Sequence, residues 1–231
     1  MMPSDVMIVV LAGGGIAAPL KEIAAQFEAT SGHKVAIRFG TAPELIKMAA
    51  SGRFDLAVVP VEVFRDPPTR ALFEASPTLD VARVGIGVAV RSGAAKPDIS
   101  APEALKQTLL KAQAVASIPA SATGTLLAEI YERLGIAEEM KAKTRAQPGP
   151  AQIVEAVVKG EADLAVFLTN VLTDPRLDMV GPFPAGIQQE VIYQAGVAAN
   201  CKEPDVAKSF IVYLASPPGA AVIMSKGMTP A

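Results

Sequence analysis

The tetrapeptide Asp55-Leu56-Ala57-Val58 recurs as Asp163-Leu164-Ala165-Val166, 108 positions further along the chain. Each copy is an apolar run entered from a helix-patterned segment that closes on glycine, Leu45–Gly52 before the first and Ile153–Gly160 before the second. A chain that repeats helix, glycine stop and buried strand in this way is constrained to two related α/β units. The same offset carries Thr41-Ala42-Pro43 onto Gly149-Pro150-Ala151, and Gly13–Gly15 onto Ser121-Ala122-Thr123, each just ahead of a helical pattern.

The first of these turns is rich in glycine. Val6–Leu11 is an apolar run of the buried-strand kind. Gly13-Gly14-Gly15 follows, and then Ile16, Leu20, Ile23, Ala24 and Phe27 fall on one face of a helix. Glycine lets the backbone approach a ligand closely. A helix N-terminus presents unbonded N–H groups and the positive end of its dipole, so the turn suits an anion.

Val35, Ile37 and Phe39 alternate with smaller or polar residues as a second strand. Thr41 and Glu44 have the spacing of a capping box, and Asp55–Pro60 predicts a third, buried strand. The order β-α-β-α-β belongs to a parallel sheet. Ala82–Val90 reads as a long strand leading into a new region, where Ser100-Ala101-Pro102-Glu103 predicts another capping box. The second unit runs from Val115 to Leu168. Gln188–Ala199 predicts a returning strand, and Pro204–Leu214 and Gly219–Ser225 closing helices.

The expected fold is therefore α/β: two similar lobes, each with a mostly parallel sheet flanked by helices, joined by two crossover strands. Residues 1–82 with 195–231 form the first lobe and 83–194 the second, with hinge segments near 82–90 and 188–197. Ligands of such sheets bind beyond the carboxyl ends of the strands, and the repeated turns are expected to face one another over a shared pocket. The backbone at Gly14, Gly15, Ala42, Thr123, Gly124 and Gly149, the hydroxyls of Thr41, Ser121 and Thr123, and the strand ends at Pro60 and Leu168 are the candidate ligand contacts. Tyr193, on the returning strand, is expected in the core. Neutral donors of fixed geometry can hold an anion without a salt bridge once water is excluded.

Other chemistries find little support in 231 residues that are 51% hydrophobic and carry a net charge of −2. That charge balance gives no electrostatic footprint for nucleic acid. Aromatic residues are 5% and tryptophan is absent, which disfavours a stacking platform. His33, the single histidine, falls in a turn at the end of the sheet away from the loops and is expected to be solvated. Cys201 is the single cysteine, so no internal disulfide exists, and it reads as an incidental thiol. Without clustered ligands no metal site is expected, no cofactor is called for, and a serine triad has no histidine within reach. Gly13-x-Gly15-x-x-Ala18 with Arg38 loosely fits a dinucleotide fingerprint, but the repeated unit and the returning strand argue against one nucleotide crevice. Arg38 and Arg91 read as surface cations. No apolar run approaches a membrane span. Val6–Ala12 is short, Asp5 precedes it and no basic segment leads it, so the expectation is a cytoplasmic protein, or a periplasmic one whose leader has been removed.

Leu11–Phe27, Gly32-His33-Lys34-Val35-Ala36-Ile37-Arg38-Phe39-Gly40, Phe54–Pro60, Leu134-Gly135-Ile136, Lys159–Leu164 and Pro218-Gly219-Ala220-Ala221 occur in an order that resembles the type II periplasmic solute-binding proteins, nearest to their molybdate-binding-protein-like branch. The resemblance implies capture of a small anion, delivery to an ABC-type permease, hinge closure and a monomer. Molybdate binders of that branch place hydroxyls on the first two loops and a tyrosine after the second-lobe strand. Here those positions carry Gly15, Thr41 and, near the last, Leu168, so two of the groups are missing. Val180–Gln188 and Gly227-Met228-Thr229-Pro230 look more like a sub-branch that includes aconitate isomerase, which implies a small carboxylate. The alternatives are an isomerase of a small unsaturated acid, which the sub-branch implies and for which a carboxylate such as Glu44 or a hydroxyl would have to serve, and a cytoplasmic ligand sensor, which the lack of a signal-peptide pattern favours.

Overall fold

A computed structural model describes residues 6–52, 54–76 and 78–231. The chain forms two compact units. One runs to Arg83 and resumes from Ile192 to Ala231; the other is Val84–Val191.

The first unit opens with β1 (Met7–Gly13), a 3-10 turn (Gly14–Ile16), α1 (Ala17–Ser31), β2 (Lys34–Gly40), α2 (Ala42–Ala50), β3 (Leu56–Pro60) and the short helices α3 (Val61–Arg65) and α4 (Pro67–Arg70). Then β4 (Leu79–Arg91) carries the chain into the second unit. There α5 (Pro102–Lys111), β5 (Val115–Ser117), α6 (Ala122–Leu134), α7 (Ala137–Lys143), β6 (Thr144–Ala146), α8 (Pro150–Val158), β7 (Leu164–Leu168) and β8 (Leu177–Pro182) follow. The strand β9 (Glu190–Val197) returns to the first unit, which α9 (Pro204–Leu214), α10 (Pro217–Ser225) and β10 (Thr229–Pro230) complete.

Each unit builds the same sheet. In the first, β1 lies between β2 and β3, all parallel, and β9 runs antiparallel beside β3. In the second, β5 lies between β6 and β7, all parallel, and β4 runs antiparallel beside β7. All five residues of β3 are buried, and so are all five of β7, which is why both read as unbroken apolar runs. The helix α1 buries Leu20, Ile23, Ala24 and Phe27 along one stripe and stops where Gly32 takes φ 78°, a backbone that glycine adopts without strain. Phe27 packs edge-on against Phe210 of α9.

The repeated aspartate explains itself here. Asp55 Oδ2 accepts the Val9 N–H at 2.8 Å while its own N–H reaches Val9 O at 2.9 Å. In the second unit Asp163 Oδ2 accepts the N–H groups of Gln113 and Ala114 at 2.6 and 3.2 Å, and its own N–H reaches Ala114 O at 2.9 Å. Each carboxylate thus staples the entry of the third parallel strand to that of the first.

Four sequence expectations are corrected. Register pairs Val10 with Leu56 and Val115 with Leu164, so the first strands stand 105 positions apart while the third stand 108 apart. The N-cap matching Ser121 is therefore Ile16, not Gly13. The net difference of three residues falls between the start of α6 and the start of α8, where the second unit inserts α7. The N-cap of α5 is Ala101, without a side-chain bond, because Asp98 Oδ1 already takes the Ser100 N–H at 2.9 Å. His33 is half-buried with its ring against Phe27, not a freely solvated turn. The strands β6 and β8 were not anticipated: three polar or small residues and a broken apolar run give no period-2 signal.

Candidate ligand-binding site

In the order β2-β1-β3 the chain winds one way from β1 to β2 and the other way to reach β3. Sheets that reverse their winding in this way bind ligands at the reversal, here beyond the carboxyl ends of β1 and β3. Gly13 ends β1 and Pro60 ends β3. A Cβ on Gly13 would lie 2.9 Å from Tyr193 Cε1 and 3.1 Å from Pro60 Cδ, so the bare glycine is what admits the tyrosine ring. Tyr193, opposite Pro60 on β9, is buried as expected. Burial, and after it the charge of Glu62, pushes its hydroxyl well above the usual phenol range, so it stays protonated. Glu62 stands in the first turn of α3, and its Oε2 is buried with no hydrogen-bond partner among the described residues. Gly14 is half-buried and Gly15 buried in the turn that follows Gly13.

At the carboxyl end of β2, Thr41 caps α2. Glu44 Oε2 accepts both the Thr41 N–H at 2.7 Å and the Thr41 hydroxyl at 2.9 Å, and these two bonds hold the Glu44 carboxyl below the usual carboxylate range. The chain's own carboxylate therefore occupies the donors expected of Thr41. Pro43 supplies no N–H. The Ala42 N–H, at the first helical position, meets no acceptor among the described residues and is the donor left at this terminus. Arg38 and Arg91 are exposed, in keeping with the surface reading.

In the second unit Ser121 caps α6. Its Oγ donates to Ile118 O at 2.6 Å and accepts the Gly124 N–H at 3.0 Å. The Gly124 donor is thereby committed inside the cap. A Cβ on Gly124 would lie 2.2 Å from Pro119 O and 2.5 Å from Ile118 O, so this glycine serves the approach of the helix to its own preceding turn. The N–H groups of Ala122 and Thr123 meet no acceptor among the described residues, and the Thr123 side chain is buried. Gly149 caps α8, Pro150 has no N–H, and Ala151 contributes the unbonded donor there. Leu168 is buried at the end of β7 opposite Ile86, a core position. Within each unit, then, unbonded amides gather at carboxyl strand ends: Ala42 in the first, and Ala122, Thr123 and Ala151 in the second. Glu44 is the carboxylate that the sequence offers, and no motif marks Glu62. Its signal was position alone, two residues past the end of a buried strand.

Two α/β units of one design, each with three parallel strands, an antiparallel fourth and helix N-termini at the carboxyl strand ends, define the type II periplasmic-binding-protein fold. The molybdate-binding protein of Azotobacter vinelandii superposes with a TM-score of 0.79 at 16% identity, over 96% of this chain and 98% of that one. The profile of the bacterial extracellular solute-binding proteins matches residues 8–229, and the chain belongs to that family. Among curated relatives it is 32% identical to an aconitate isomerase of a Pseudomonas species, over 96% of this chain and 87% of the relative. It is 26% identical to the molybdate-binding protein ModA of Azotobacter vinelandii, over 91% of this chain and 84% of that protein.

Proposed function

We propose that the protein captures a small carboxylate and presents it, as a monomer in the periplasm, to the permease of an ABC-type transporter. The observation that carries this reading is the set of unbonded backbone donors at the ends of parallel strands, Ala42 in one unit and Ala122, Thr123 and Ala151 in the other. Amides fixed by helix geometry stabilise an anion without reorganising, which suits a binder that must also release its solute. The family match supports solute capture outside the cytoplasm and, with it, a permease partner. The greater identity to aconitate isomerase than to the molybdate-binding protein supports a carboxylate over a tetrahedral oxyanion. So does Thr41, whose hydroxyl proton is held by Glu44.

A thermal-shift screen of cis- and trans-aconitate, citrate, molybdate and tungstate tests the reading. A carboxylate present at 100-fold over its dissociation constant adds about 2.7 kcal/mol to stability, an upward shift easily resolved. Stabilisation by molybdate or tungstate and by no carboxylate would refute it. A second reading, isomerisation of a small unsaturated acid in the same site, is favoured by the 32% identity to an aconitate isomerase.

A further inference from the structure

We infer that Glu62 is a proton-transferring base beyond the carboxyl ends of β1 and β3, so that an unsaturated carboxylate bound there has a hydrogen moved between two of its carbons. The inference rests on the carboxylate reading above and gives its isomerase variant a named residue.

Three observations converge. First, Glu62 lies two residues beyond Pro60, whose ring sits against Gly13 and whose partner across the sheet is Tyr193. It thus stands at the reversal of the winding, where sheets of this order bind their ligands. Second, among the described residues Glu62 Oε2, which is buried, accepts no hydrogen bond and the side chain joins no ion pair. Glu44, the carboxylate nearest the α2 terminus, is by contrast fully engaged by Thr41. A buried carboxylate oxygen with no donor on it is costly and tends to mark a site of chemistry. Third, the neighbouring Tyr193 hydroxyl keeps its proton, so the wall beside Glu62 is neutral and adds no second anion next to a negatively charged ligand.

The chemistry balances without a co-reactant. Glu62 takes a proton from a methylene carbon next to the double bond of the acid. The electron pair of that C–H bond delocalises through the double bond toward the carboxylate on its far side. The proton then returns from Glu62 to the far alkene carbon. One C–H bond breaks, one forms, the double bond moves by one carbon, and no group is oxidised or reduced. General-base catalysis of this kind contributes roughly 100- to 10,000-fold.

The test uses trans-aconitate in deuterium oxide, followed by proton NMR, with calorimetric titration of the same protein. Wild type is expected to bind the acid, to exchange its methylene hydrogens and to form the cis isomer. Glu62→Gln is expected to bind within a few-fold of wild type and to exchange at least about 100-fold more slowly. Glu62→Asp, which keeps the carboxylate, should retain measurable exchange and guards against a folding defect in the amide variant. Exchange by Glu62→Gln at the wild-type rate overturns the inference. Binding by wild type without any exchange overturns it as well and leaves the binding function standing. Failure of wild type to bind the acid overturns this inference and counts against the carboxylate reading beneath it.

Discussion

Asp55 and Val9 hold each other twice, the carboxylate taking the Val9 N–H at 2.8 Å and the Asp55 N–H reaching back to the Val9 carbonyl at 2.9 Å. Asp163 makes the same pair of links to Ala114, but from an exposed position. Truncating Asp55 leaves a part-buried N–H without its charged acceptor. Asp55→Ala is expected to lower stability by about 2 kcal/mol, and Asp163→Ala by less. Denaturant midpoints of the two variants check this, and equal losses would count against it.

Gly124 has no room for a side chain. A methyl group would sit 2.2 Å from Pro119 O, and that contact is backbone, which cannot swing aside. Gly124→Ala is expected to cost about 3 kcal/mol or to displace the start of α6. Gly135, where α6 ends at φ 67°, has open space around it. Alanine there is expected to lose only the conformational preference, about 1 kcal/mol. Thermal melts of both variants separate the two causes.

Glu44 sets a pH dependence. Its folded-state carboxyl lies below the ordinary 4.5 because the Thr41 N–H and hydroxyl donate to the ionised form. A depressed carboxyl stabilises the fold fully above its unfolded value and loses that contribution as pH falls through the lower, folded one. The group is exposed, so the effect is small, about 0.5 kcal/mol. Wild type should exceed Glu44→Gln in stability by that amount at pH 7, and the difference should vanish below the depressed value.

Cys201 is expected to react slowly. Burial raises its thiol to about 11 from an ordinary 9.0; the Glu203 backbone bond opposes the shift, and the Asp55 and Glu74 carboxylates add to it. Two pH units leave roughly one-hundredth of the ordinary thiolate near neutrality. Alkylation by iodoacetamide, followed by mass spectrometry, should run correspondingly slower than for free cysteine at pH 7.4. A rate equal to free cysteine would refute the assignment.

How far the fold could be read in advance varies with the kind of signal. The recurrent Asp-Leu-Ala-Val marked the third parallel strand of both units because each is buried on both faces and so reads as continuous apolar sequence. The closing helices were legible too: α9 opens at Pro204 as expected, while α10 begins at Pro217, two residues before the expected Gly219. A constant offset, however, hides an insertion: α7 shifted the correspondence of Gly13 and Ser121 by three residues, and only strand register reveals it. At the site, sequence located the turns but not the fate of their donors. A capping motif reads the same whether Thr41 faces a ligand or is held by Glu44, and a glycine reads the same whether it approaches a ligand or, as Gly124 does, its own chain. Glu62 carried no motif, and its significance comes from an unpartnered oxygen that only coordinates display.

The most direct test of amide-based capture removes one amide and nothing else. Proline at the first position of a helix keeps the backbone and deletes the N–H, and Thr41 already has the extended conformation that precedes proline. Calorimetric titration of wild type and Ala42→Pro with trans-aconitate, cis-aconitate and molybdate is therefore decisive. Wild type should bind a carboxylate, and Ala42→Pro should bind it about 30-fold more weakly, the loss of roughly 2 kcal/mol expected for one hydrogen bond to a charged group, with its melting temperature unchanged. Equal affinity of the two proteins, or tight binding of molybdate with none of either carboxylate, would contradict the account.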